Sequence, residues 1–165
     1  MTKLLYSARD IAYIINDFDL SESISAELIH KLWNEEKIFL QPEYRQNYRK
    51  WFLDIRCQSN YIHDPAIQKD CDGLLECENF LIDEFKLNLF FKSLRIKILY
   101  IGEKNYYRMK LRTLLSKHGY KRRTKELVAY LKKCLVFYHI QTNFHGEICD
   151  VAEIKLDDMI TFRVL

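Results

Sequence analysis

Residues 105–138 read NYYRMKLRTLLSKHGYKRRTKELVAYLKKCLVFY, and the periodicity of this stretch decides how the chain folds. Tyr107, Leu111, Leu114, Leu115 and His118 share one face of a helix, with Lys110, Arg112 and Lys117 turned away. Gly119 stands where a helix ends in a left-handed residue. Thr124 is placed to cap a second helix. Its apolar stripe is Leu127, Val128, Leu131, Cys134, Leu135 and Tyr138, opposite Lys125, Lys132 and Lys133. The pattern predicts two helices joined by the basic turn Lys121-Arg122-Arg123.

Strand-like alternation follows at 140–144, 151–156 and 159–164. Ahead of the helices, Phe85, Leu87, Leu89 and Phe91 alternate with other residues, as do Leu94, Ile96 and Ile98. Period two in neighbouring runs predicts paired strands, with a helix still open for the first run. Residues 80–165 thus read as an α+β module with two helices and a small antiparallel sheet, in winged-helix-like order.

The N-terminal part reads differently. Ser7 and Asp10 approximate a capping box ahead of Ile11, Ile14, Ile15 and Phe18 on one helical face. Ser23 or Ser25 is placed to cap a second helix bearing Ile24, Leu28, Ile29, Leu32 and Trp33. A short strand at 37–40 and a basic, aromatic helix over 44–56 complete a helical unit over 1–56, partly helix-turn-helix-like. Its second helix carries Glu27, Glu35 and Glu36, which phosphates would repel. That unit is therefore expected to meet protein, or a second copy of the chain. Residues 57–79, with Asn60, Asp64, Pro65, Asp70, Asp72 and Gly73, read as a connection.

Charge is segregated along the chain. The net charge is only +3, yet residues 92–133 hold fourteen basic residues against Glu103 and Glu126. Such a segment is the footprint of a polyanion-binding surface. The candidate phosphate contacts are Lys104, Arg108, Lys110, Arg112, Lys117, Lys121, Arg122, Arg123, Lys125, Lys132 and Lys133. Lys121-Arg122-Arg123 is the sharpest group, because a phosphate there meets three cations and the positive end of the next helix. Tyr120 and Tyr130 are candidates for stacking on bases. The rival reading is an adaptor or inhibitor whose basic face meets an acidic protein.

The runs Lys110-Leu111-Arg112-Thr113-Leu114-Leu115 and His118-Gly119-Tyr120-Lys121-Arg122-Arg123-Thr124, with Ile160-Thr161-Phe162-Arg163 near the end, carry a resemblance. Over residues 105–164 the chain resembles a small bacterial α+β module with an LL…FGxxRR signature, seen in regulatory CBS-domain proteins and in defence- or restriction-linked proteins. The resemblance implies a winged-helix role in nucleic-acid binding or protein docking, in phage defence or on a mobile element. It implies no catalytic residue. His118 stands where the module has an aromatic.

Other chemistry has weaker support. With 48% apolar residues and 23 aromatics the chain has enough for a core, and no apolar run reaches the roughly 20 residues of a membrane span. No secretory leader pattern is present, so a cytoplasmic location is expected. Five cysteines, an odd number, argue against a disulfide framework. Cys57, His63, Cys71 and Cys77 lack the spacing of a zinc knuckle, and no metal or other cofactor is expected. Three matches to a carboxylate followed by D/E-x-K or E-E-K (Asp72 with Glu84 and Lys86; Asp150 with Glu153 and Lys155; Glu35-Glu36-Lys37) show how loosely a metal-dependent nuclease pattern is met. A non-enzymatic nucleic-acid-binding protein is the leading expectation.

Overall fold

A computed structural model describes residues 2–63 and 79–165 of the chain. It divides into two compact units, Met1–Ile82 and Asp83–Leu165.

The first unit contains α1 (Ala8–Asp17), α2 (Glu22–Glu35) and α3 (Tyr48–His63). The capping box at α1 is present: the Asp10 N–H donates to Ser7 Oγ at 3.1 Å, and the Ser7 N–H to Asp10 Oδ2 at 2.9 Å. Ser21, earlier than expected, caps α2, accepting from the Ile24 N–H. Ser25 lies inside that helix, its hydroxyl donating to the Ser21 carbonyl at 2.8 Å. The buried stripe is accordingly Ser25, Leu28, Ile29 and Leu32, and Ile24 faces out. α1 and α2 pack with α3, whose fully buried Trp51 donates its indole N–H to the Ile29 carbonyl at 3.2 Å. Residues 37–39 form a 3-10 turn where a strand was expected, leaving one parallel bridge between Tyr6 and Leu40. α3 runs to His63, so helix replaces the first part of the expected connection. Residues 64–78, which hold Cys71 and Cys77, lie outside the described residues.

The second unit includes most of α4 (Asn79–Ile96), which runs into a π-helical turn at Lys97–Ile101. Paired strands were expected here. Leu87, Phe91, Leu94 and Ile98 recur at spacings of four, three and four, which is also a helical repeat, and all four are buried. The period-two reading failed because Leu and Phe fill the intervening positions too, leaving two templates satisfied at once. No turn chemistry at Lys92-Ser93 supported a hairpin.

β1 (Tyr107–Lys110), α5 (Leu111–Lys117), α6 (Lys125–Phe137), β2 (Ile140–Phe144), β3 (Glu147–Ile148) and β4 (Met159–Val164) follow. The expected first helix therefore begins at Leu111, and Tyr107 belongs to a strand. The sheet is antiparallel, in the order β1-β4-β2-β3. His145 and Gly146, both at positive φ (51° and 90°), make the two-residue turn between β2 and β3. Gly119, at φ 80°, ends α5, and the Tyr120 N–H returns to the Leu115 carbonyl at 2.9 Å. The inner face of the sheet contributes Met109, Ile140, Thr142, Ile160 and Phe162 to a core shared with Leu111, Leu114, Leu127, Leu131 and Leu135. The chain is thus α+β, as its patterning indicated.

Residues 151–156 form a loop where a strand was expected. Asp150 accepts from the Ala152 N–H at 2.8 Å, and its carbonyl accepts from the N–H groups of Glu153 and Ile154. This Asp-led turn outcompetes extension. Val151 and Ile154 are buried beneath the loop.

Candidate nucleic-acid interface

The cationic segment is sorted by the fold into groups with different surroundings. Lys92 and Arg95 are buried on α4, and Arg95 donates to the Tyr138 carbonyl at 2.6 Å. The Tyr138 hydroxyl in turn donates to Asn88 at 2.7 Å, so the buried polar groups of α4 join α6 to the core. His118 meets Phe90 edge-on with ring centroids 5.3 Å apart.

Three of the expected contacts are bound inside the module. Arg112 holds Asp157 through two hydrogen bonds, Nε to Oδ1 at 2.8 Å and Nη2 to Oδ2 at 2.9 Å. Lys132 holds Asp150 at 2.7 Å. Both carboxylates are held below the usual aspartate range, chiefly by these hydrogen bonds. Arg123, half-buried, donates to the carbonyls of Val151 and Ile154. The turn Lys121-Arg122-Arg123 is therefore divided: its last arginine fastens the loop over 149–158 to the start of α6.

Five others lie on the helix pair. Lys117 closes α5, Lys121 and Arg122 stand in the turn, Lys125 opens α6 and Lys133 lies two turns on. All five are exposed and none has an ion pair among the described residues. Thr124 caps α6 by accepting from the Leu127 N–H at 3.2 Å, which fixes the helix start beside Arg122. Glu126 is the one acidic residue of α6. Tyr120 and Tyr130 are half-buried, each with partners of its own.

The remaining three, Lys104, Arg108 and Lys110, belong to the sheet side. Lys104 precedes β1, with its Nζ 5.6 Å from the centre of the Tyr106 ring. Arg108 and Lys110 point outward from β1, alternating with buried Met109. Ladder register adds Arg163, which lies outside the basic segment and was missed in the sequence. Alternation over 159–164 was the signal that could have found it, since it puts positions 161 and 163 on the face of Arg108.

The first unit's basic helix offers less. Lys50 is paired with Asp54 at 2.7 Å, Arg56 with Glu22, and Arg45 donates to the Leu40 and Ile38 carbonyls. Two of the carboxylates considered for nuclease chemistry have partners of their own. Glu36 is buried and accepts from the Tyr6 hydroxyl at 3.2 Å, and Asp150 is taken by Lys132 on a loop. The side chains of Asp72, Glu84 and Lys86 lie outside the described residues. Among the described residues no three His, Cys, Asp or Glu side chains converge, and no helix is long and apolar enough to cross a membrane.

Compared with protein-family models, curated proteins and solved structures, the chain matches none.

Proposed function

We propose that the second unit is a winged-helix-like module that binds nucleic acid through the α5–turn–α6 pair. Helix α4, β1, α5, α6 and an antiparallel sheet closed by β4 between β1 and β2 give the element order such a module needs. The observation that carries the reading is the division of cations. Arg112, Arg123 and Lys132 are satisfied internally, while Lys117, Lys121, Arg122, Lys125 and Lys133 keep their charge unneutralised around the turn and α6. Cations held near a helix start suit backbone phosphates, which set affinity and orientation. In a helix-turn-helix pair the second helix enters the major groove. That role falls to α6, whose outward positions include Lys125, Ala129, Lys132 and Lys133.

Binding of the full chain to random-sequence duplex, followed by fluorescence anisotropy over a salt series, tests this. A steep fall of affinity with salt is expected. No binding at low salt would end the nucleic-acid reading and leave an acidic protein as the partner of this face.

A further inference from the structure

The outer face of the sheet is a separate surface, with chemistry unlike that of the helix pair. Ladder pairing sets its side chains in rows. Arg108 lies opposite Thr161, which lies opposite Asn143; Lys110 lies opposite Met159; and Arg163 lies opposite Gln141. Extending the β1–β4 register by one residue puts Tyr106 beside Arg163, and the Arg163 guanidinium carbon is 6.0 Å from the centre of the Tyr106 ring. Lys104 approaches the same ring at 5.6 Å.

Lys104, Arg108, Lys110 and Arg163 are exposed and have no ion pair among the described residues. Asp157 feels the charge of Lys110 but is held by Arg112, and Glu103, beside Lys104 in the chain, precedes the strand. Tyr106, Gln141, Asn143 and Thr161 are half-exposed between the cations. Four cations, one ring and three hydrogen-bonding side chains thus share a face whose outward rows carry no carboxylate.

From this charge complementarity and the aromatic among the cations, we propose that the outer sheet face binds an unpaired strand of nucleic acid, separately from the duplex contact assigned to the helix pair. Successive outward residues of β1 are about 6.8 Å apart along the strand. A chain of phosphates laid along β1 therefore passes Arg108 and then Lys110, while Tyr106 meets a base on its π-face. Gln141 and Thr161 can bond to base edges that only an unpaired strand offers on a flat surface, and Asn143, whose Oδ1 is buried, can add only its amide N–H groups. A duplex pairs its Watson–Crick edges with one another and leaves other edges only inside its grooves.

The test uses the full chain with labelled oligothymidylate, oligouridylate and a random-sequence duplex. Arg108→Ala with Arg163→Ala should weaken single-strand binding and shallow its salt slope by about 1.4, since each phosphate contact on a single strand contributes roughly 0.7. Tyr106→Ala should weaken it on the order of 5- to 100-fold, and Tyr106→Phe should retain it, because stacking needs the ring and not the hydroxyl. Duplex affinity should stay near wild type in all of these, with unchanged melting temperatures showing that the sheet is intact. The proposal is overturned if the wild-type chain binds neither single strand at low salt. It is equally overturned if the sheet variants leave single-strand affinity unchanged, or if duplex affinity falls in parallel, which would make the sheet part of one duplex-binding surface. Loss of duplex binding in Lys121→Ala with Arg122→Ala, single-strand binding persisting, is the expected complement and separates the two readings.

Discussion

Neighbouring arginines in one turn have opposite surroundings. Arg122 is exposed with no carboxylate or carbonyl partner among the described residues, whereas Arg123 donates to two loop carbonyls and is half-buried. Arg122→Ala should lower polyanion affinity without shifting the melting temperature. Arg123→Ala should destabilise by about 1.5–3 kcal/mol, because charge-assisted hydrogen bonds are lost and the carbonyls are left exposed to poor partners. Thermal melts beside binding isotherms of the single variants check the split; equal behaviour of the two would contradict it. Sequence reading placed both in a basic turn correctly, but which donor meets a carbonyl depends on the loop at 149–158, distant in the chain. Thiol chemistry makes a second test at this scale. Burial pushes the Cys134 thiol up to about 11, while Cys57 is exposed on α3. Alkylation mapped by mass spectrometry should modify Cys57 rapidly near neutral pH and Cys134 only as the second unit opens.

At the scale of elements, the caps and the stripe of α6 were legible because they are local. Thr124, Gly119 and the Leu127, Leu131, Leu135 repeat are each set by residues within a turn or two. Leu131 is only 1% exposed, so Leu131→Ala should cost about 2–5 kcal/mol in a denaturant melt. A near-neutral result would mean the helix is phased differently. Helix α4 was legible only as an alternative for its first run, since over residues 87–98 burial on most sides removes the polar face that distinguishes a helical period from a strand's. The loop over 151–156 differs for another reason: Ala152, Ile154 and Leu156 alternate with Glu153 and Lys155 and suit a strand, but Asp150 turns the chain first. This loop is also where acid should act. Asp150 and Asp157 have lowered pKa values in the fold, so their contribution to stability is present above the unfolded value of about 3.9. It is lost as pH falls through the lower, folded values. Both pairs are exposed and salt-screened, so the effect is small. Asp150→Asn with Asp157→Asn should reduce the dependence of melting temperature on pH as pH falls from about 3.9 through the folded values, and an unchanged profile would show that the pairs do not hold the loop.

At the scale of the molecule, a chain of net charge +3 concentrates its unneutralised cations in one of two units. The sequence showed the segregation, because it is a property of composition along the chain. It did not show that buried partners, loop carboxylates and carbonyls remove several of those cations from the surface, nor that β4 returns Arg163 to the sheet face. The most direct test of the central claim is the slope of log affinity against log salt for random duplex, measured for the wild-type chain and for Lys121→Ala with Arg122→Ala. Five free cations on the helix pair predict a wild-type slope of about −4 to −5, and removing two should bring it to about −2 to −3 with a clear loss of affinity. An unchanged slope and affinity in the variant would contradict the assignment of the phosphate contacts to this turn.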